Sequence, residues 1–127
     1  CSTVDYFPTI AKLVGYEFES KNKRPLDGID LMPVIGGEVK ERPTDLFFGY
    51  RRLHGGIDGQ AIISGDWKLL REAQPDGRVR LYDLGKDPFE QHDLAETRPD
   101  RLQSLLQRMH AIDRECQLSR DGADYQY

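Results

Sequence analysis

The stretch GQAIISGDWKLLREAQPDGRVRLYDLGKDPFEQHDLA, from Gly59 to Ala95, carries two hairpin signals in series. Residues 60–64 are β-rich, Gly65-Asp66 is a two-residue turn, and residues 67–71 lead back. Gly65 supplies the positive φ that such a turn needs, which pins the register of the pair. Pro75-Asp76-Gly77 marks a second turn, and residues 79–84 read as a further strand. On the middle strand Trp67 and Leu69 point one way while Lys68 and Leu70 point the other. Val79, Leu81 and Asp83 alternate with Arg80 and Tyr82, as a half-buried antiparallel sheet requires. Asp87-Pro88 is expected to end the strand, because proline offers no N–H to a ladder and restricts the residue before it.

The flanks add a strand and two helices. Asp45-Leu46-Phe47-Phe48-Gly49-Tyr50 is an aromatic run suited to a sheet. Downstream, Thr97 with Asp100 three residues later has capping-box spacing. Leu102, Leu105, Leu106, Met109 and Ile112 then form a helical apolar stripe. That stripe should lie across the sheet, and Cys116, in phase with it, should be a buried thiol. Either Leu46 with Phe48, or instead Phe47 with Tyr50, should face the helix, with Ile62 or Ile63, Trp67, Leu69 and Leu81. Near the start, Asp5 is placed to cap a helix with Phe7, Ile10, Ala11 and Val14 on one face, Pro8 at its third position and Gly15 just past its end. Residues 16–45 read as irregular linker. The fold class is α+β, with an antiparallel sheet of about four strands, a C-terminal helix on it and a separate N-terminal helix.

Composition narrows the function. The chain has 127 residues, 31% of them charged, and a net charge of −4 without a basic face, which argues against a nucleic-acid partner. No apolar run approaches membrane-spanning length and no signal-peptide pattern opens the chain. Two cysteines, Cys1 and Cys116, do not define a disulfide framework, and His54, His92 and His110 lack metal-ligand spacing.

Four fragments in order, Gly65-Asp66-Trp67-Lys68-Leu69, Leu81-Tyr82-Asp83-Leu84, Asp87-Pro88-x-Glu90 and Asp93-Leu94-Ala95, resemble the C-terminal region of the type I sulfatases, in the alkaline phosphatase superfamily. Val4-Asp5-Tyr6-Phe7-Pro8-Thr9-Ile10 and Leu26-Asp27-Gly28-Ile29-Asp30-Leu31 continue the likeness, with Asp30 where the family usually has serine. The resemblance implies that residues 1–36 are the end of a catalytic domain, 37–118 a C-terminal subdomain and 119–127 a loose tail. It implies a parent hydrolase that cleaves sulfate esters, on carbohydrates, using calcium and a formylglycine made from an upstream cysteine. The missing catalytic domain would be the partner, with self-association through the N-terminal helix as another outcome, and the parent would be exported. Two other readings stay open: a self-contained module binding an anionic ligand or a protein, and the equivalent region of a phosphonate or phosphodiester hydrolase.

Arg51-Arg52-Leu53-His54-Gly55-Gly56 is the segment with functional colour. Arg51, Arg52 and His54 could grip a sulfate ester at the rim of a cleft, since guanidinium forks suit sulfate oxygens as they suit phosphate. The competing reading is a solvated turn. Asp27 and Asp30 read as turn caps rather than metal ligands. Cys116-Gln117-Leu118-Ser119-Arg120 resembles the family's maturation motif, but Leu118 replaces the required Pro or Ala and the position is at the wrong end of the chain. No catalytic residue and no metal ligand is expected in this sequence.

Overall fold

Gly65 takes a φ of +57°, and the turn it makes with Asp66 sets Ser64 opposite Trp67. From that turn the pairing propagates outward through strands β1 (Leu46–Arg51), β2 (Ile57–Ser64), β3 (Trp67–Arg71) and β4 (Val79–Asp83). The computed structural model describes residues 1–16, 26–51, 57–72 and 77–123. The four strands form one antiparallel meander in the order β1-β2-β3-β4. The second turn is only partly within the described residues; Gly77, at its end, has a φ of +54°, and the Glu72 N–H donates to the Arg78 carbonyl at 2.8 Å.

Register puts Phe47, Ile62, Leu69 and Leu81 in one row across all four strands. Because side chains alternate, this row shares a face with Trp67 and Val79. Helix α3 (Pro99–Arg120) lays Leu105 and Met109 on that face, and these two with Ile62, Leu69 and Leu81 are completely buried. Leu102, Leu106 and Ile112 pack at the margin with Phe47, Trp67 and Val79. Burying each such side chain stabilises the fold by roughly 1.5–3 kcal/mol. Of the alternatives open in the sequence, Phe47 and Ile62 are the inward ones; Phe48 is 46% exposed.

Three local expectations are corrected. The strand β4 stops at Asp83, before the proline, because the chain turns there: Leu84 donates to the Asp66 carbonyl, and Lys86 and Asp87 both donate to the Asp83 carbonyl. Helix α3 starts at Pro99, with Arg98 rather than Thr97 as N-cap and no side-chain cap bond. Proline suits the first helical position but disfavours helical geometry at the residue before it, so the helix begins where the proline lets it. Cys116 is exposed, not buried. The helix of 22 residues spans about 33 Å at 1.5 Å per residue. The α3 side chains that pack on the core end at Ile112, so the helix keeps its phase beyond the surface it covers.

Among the described residues, 1–44 and 122–123 belong to one compact unit and 45–121 to another. A 3-10 turn (Thr3–Asp5) leads into α1 (Tyr6–Leu13), which has Pro8 at its third position. Gly15, at φ +69°, lets the chain close the helix: its N–H donates to the Lys12 carbonyl and the Tyr16 N–H to Ala11, a Schellman end. The region read as linker contains a short helix, α2 (Met32–Ile35), with Leu31 as its N-cap; Asp30, one residue earlier, accepts the Met32 N–H through Oδ1 at 2.9 Å. Asp5 is the N-cap residue of α1, as expected, but its side chain makes no cap bond to the helix.

Candidate functional site

The Asp5 carboxylate turns into the unit instead. Completely buried, it accepts the Ser2 N–H at 2.7 Å, the Ile29 N–H at 3.0 Å and Arg42 Nη1 at 2.6 Å. Burial pushes its carboxyl up, but the bonds from Arg42, Ile29 and Ser2 together outweigh burial and hold it below its ordinary 3.8. Thr9 completes the connection, donating to the Asp5 carbonyl and accepting the Leu31 N–H. Arg42 Nη2 also reaches the Asp27 carbonyl at 3.2 Å. This cluster ties α1 to the 27–31 loop as a structural hub: the Asp5 carboxylate is satisfied by its own chain, while the buried Arg42 Nε is left without a hydrogen-bond partner among the described residues. The apolar residues of α1 lie elsewhere: Tyr6, Phe7, Ile10, Leu13 and Val14 are 52–72% exposed while Thr9 and Ala11 are buried.

The residues of the Gly59–Ala95 stretch that carry the family likeness also act structurally. Asp93 Oδ1 accepts the Leu81 N–H at 3.1 Å and the Ala95 N–H at 3.0 Å, while the Leu94 N–H donates to the Leu81 carbonyl. The loop after β4 is therefore stapled back along that strand. N–H groups of Gln91 and His92 hold the Asp87 carboxyl below its ordinary range, and Glu90, in left-handed backbone at φ +57°, pairs with Lys68 at 2.6 Å.

Arg51 is the last residue of β1, opposite Ile57, just past a register shift at Tyr50. A bulge at that point re-aims the strand end. Arg52 and His54 lie outside the described residues. Asp30 makes the local turn bond expected of it, whereas Asp27 takes part only through its carbonyl, which accepts from Arg42. Among the described residues no group of three or more His, Cys, Asp or Glu is arranged to hold a metal, and no helix is long and apolar enough to cross a membrane.

A feature missed in the sequence lies at the start of α3. Arg98 and Arg101 place their Cζ atoms 5.9 and 5.2 Å from the centroid of the Trp67 ring, beside a groove of about 580 Å³. Their i, i+3 spacing was the available signal, since it puts both on one helix face.

A four-stranded antiparallel meander with one long helix across it, fed by a short helical unit, defines an α+β module. No protein-family model matches the chain. It is 27% identical over 139 aligned positions to the steryl-sulfatase of Rattus norvegicus, covering 89% of this chain and 24% of that protein. Among solved structures it resembles BT4656, in complex with its substrate D-glucosamine-2-N,6-O-disulfate, with a TM-score of 0.65, 19% identity and coverage of 97% of this chain and 25% of that one. It also resembles BT1596, a 2-O GAG sulfatase, with a TM-score of 0.61, 22% identity and coverage of 95% and 25%. The chain thus spans about a quarter of the length of each of these proteins. The ordered fragments, the meander and these matches agree in likening the chain to the C-terminal region of sulfatases.

Proposed function

We propose that this region completes a sulfatase-type hydrolase whose parent cleaves sulfate esters on carbohydrates, and that it contributes to the rim of the substrate cleft. The observation that carries the reading is the match to sulfatases over nearly the whole chain but only a quarter of theirs. The solved relatives supply the substrate class, a sulfated glucosamine in one and a glycosaminoglycan in the other. In this reading Arg51, Arg52 and His54 follow the strand end at the rim, where guanidinium forks can take sulfate oxygens. Residues 1–36 close the catalytic domain, and that domain covers the apolar face of α1.

Calcium and a formylglycine nucleophile belong to the parent's upstream part. The described residues of this chain do not fit either: they hold no metal-ligand cluster, and the thiol of Cys116 sits in the last turns of α3. Electrostatic and metal stabilisation supply most of the rate in such chemistry, so the chain alone should turn over nothing.

The test is the parent itself. Its coding sequence should carry a Cys-x-Pro/Ala-x-Arg segment upstream, and the purified protein should release sulfate from a sulfated glucosamine. Arg52→Ala should raise KM with little change in kcat. Preference for a phosphonate or phosphodiester, or aryl-sulfate turnover by this chain alone, would overturn the reading.

A further inference from the structure

We infer that the groove between Trp67 and the first turn of α3 is a second saccharide-binding site, in which Arg98 and Arg101 hold an oxyanion substituent such as a sulfate. The choice of saccharide rests on the sulfatase reading; the site itself rests on geometry. The groove is walled by Trp67, Thr97, Arg98, Asp100, Arg101 and Ser104, so an aromatic ring, two guanidiniums and two hydroxyl residues converge on one space. That set matches a sugar ring bearing a charged group: an apolar wall, hydroxyl partners and a guanidinium pair for the oxyanion.

Within the 45–121 unit three arginines are neutralised by carboxylates, whereas Arg98 and Arg101 lie over an aromatic ring. Arg108 meets Asp45 at 2.6 Å, Arg80 meets Glu72 at 2.6 Å and Arg78 reaches Asp93 at 4.0 Å. Among the described residues no carboxylate lies within ion-pair distance of Arg98 or Arg101; both are held by the indole. A guanidinium over an aromatic face keeps N–H donors available to a further acceptor. The first turn of α3 has no side-chain cap, so its N–H groups add to the same potential. Asp100 is the opposing charge in the wall, and its sign supplies a control.

Trp67 is the only tryptophan in the chain, so its fluorescence reports on this groove alone. The full chain is titrated with D-glucosamine-2-N,6-O-disulfate, with N-acetylglucosamine and with sodium sulfate at matched ionic strength. The expected result is a saturable change with the sulfated sugar and none with N-acetylglucosamine. Arg98→Gln and Arg101→Gln should each weaken binding about tenfold, the scale of one charge-assisted hydrogen bond, and Asp100→Asn should tighten it. Melting curves of the same variants separate binding from packing. Lower melting temperatures with unchanged titrations would show that the arginines only cover the indole, which overturns the inference. So would no response, equal responses to both sugars, or sodium sulfate binding as tightly as the sulfated sugar. The sulfatase reading stands or falls separately, on the upstream sequence and turnover of the parent.

Discussion

Arg42 Nη1 lies 2.6 Å from Oδ1 of Asp5, a carboxylate with no exposed surface, and so joins two segments 37 residues apart. Removing one partner of a buried pair strands the other charge, at a cost of about 3–5 kcal/mol. Arg42→Ala should therefore loosen the 1–44 unit by that order. Amide exchange at Ile29 and Leu31, both bonded into this cluster, would show it. Unchanged protection there would mean that the pair is not what holds the loop.

The same cluster sets an acid limit. The folded Asp5 carboxyl titrates below its ordinary 3.8, so its contribution is complete above that value and is lost as the pH falls through the lower folded value. Amide protection at Ile29 should hold through mildly acidic pH and fade only below about 3.8. In Asp5→Asn that step should be absent.

Gly28 marks how closely the loop approaches the start of the chain. A Cβ built on it would lie 1.9 Å from the Val4 carbonyl oxygen, a backbone atom that does not swing away. Gly28→Ala should displace the loop and weaken the Asp5 bonds with it. Gly15→Ala is the contrast: its Cβ would meet nothing within 4 Å. Only the left-handed backbone is then strained, at about 1–2 kcal/mol. Melting both variants should rank Gly28→Ala as clearly worse.

The meander was legible because its information is local. Gly65-Asp66 fixes the register, and alternation from Trp67 to Arg71 then decides which residues face in. Leu69→Ala, at a fully buried site in the middle of the inward row, should cost about 2–5 kcal/mol. Denaturant melts should show it as a shift in midpoint. The Asp5 cluster was not legible, since its partners Ile29 and Arg42 are distant in sequence and no spacing announces them. Cys116 was misplaced for a related reason. Helical phase reports which way a side chain points, not whether a surface remains beneath it, and the sheet ends before the helix does. Of the candidate rim, the sequence places Arg51 at the start of the loop, whereas the structure makes it the last residue of β1.

Because Cys116 lies beyond the covered part of α3, Cys116→Ser should change stability by no more than about 0.5 kcal/mol, the usual scale for exposed positions. A thiol reagent should label Cys116 in the native chain without melting it. Labelling only after denaturant is added would place the thiol in a packed environment and contradict the observed end of the sheet.

Phe7 offers the sharpest separation between a fragment and a self-sufficient domain. It is 52% exposed, on the same helix as Ile10, which is 57% exposed, and Val14 at the helix end is 72% exposed. In the chain alone, where Phe7 is half exposed, Phe7→Asp should cost clearly less than in the parent. In the parent, where the proposed catalytic domain covers this helix, the same change loses the burial of one large side chain, roughly 1.5–3 kcal/mol, and adds the burden of a buried charge. Melting the variant in both contexts decides the matter. Equal, small effects would mean that no domain covers α1. A large effect in the isolated chain, with loss of a dimer in light scattering, would mean that a second copy does.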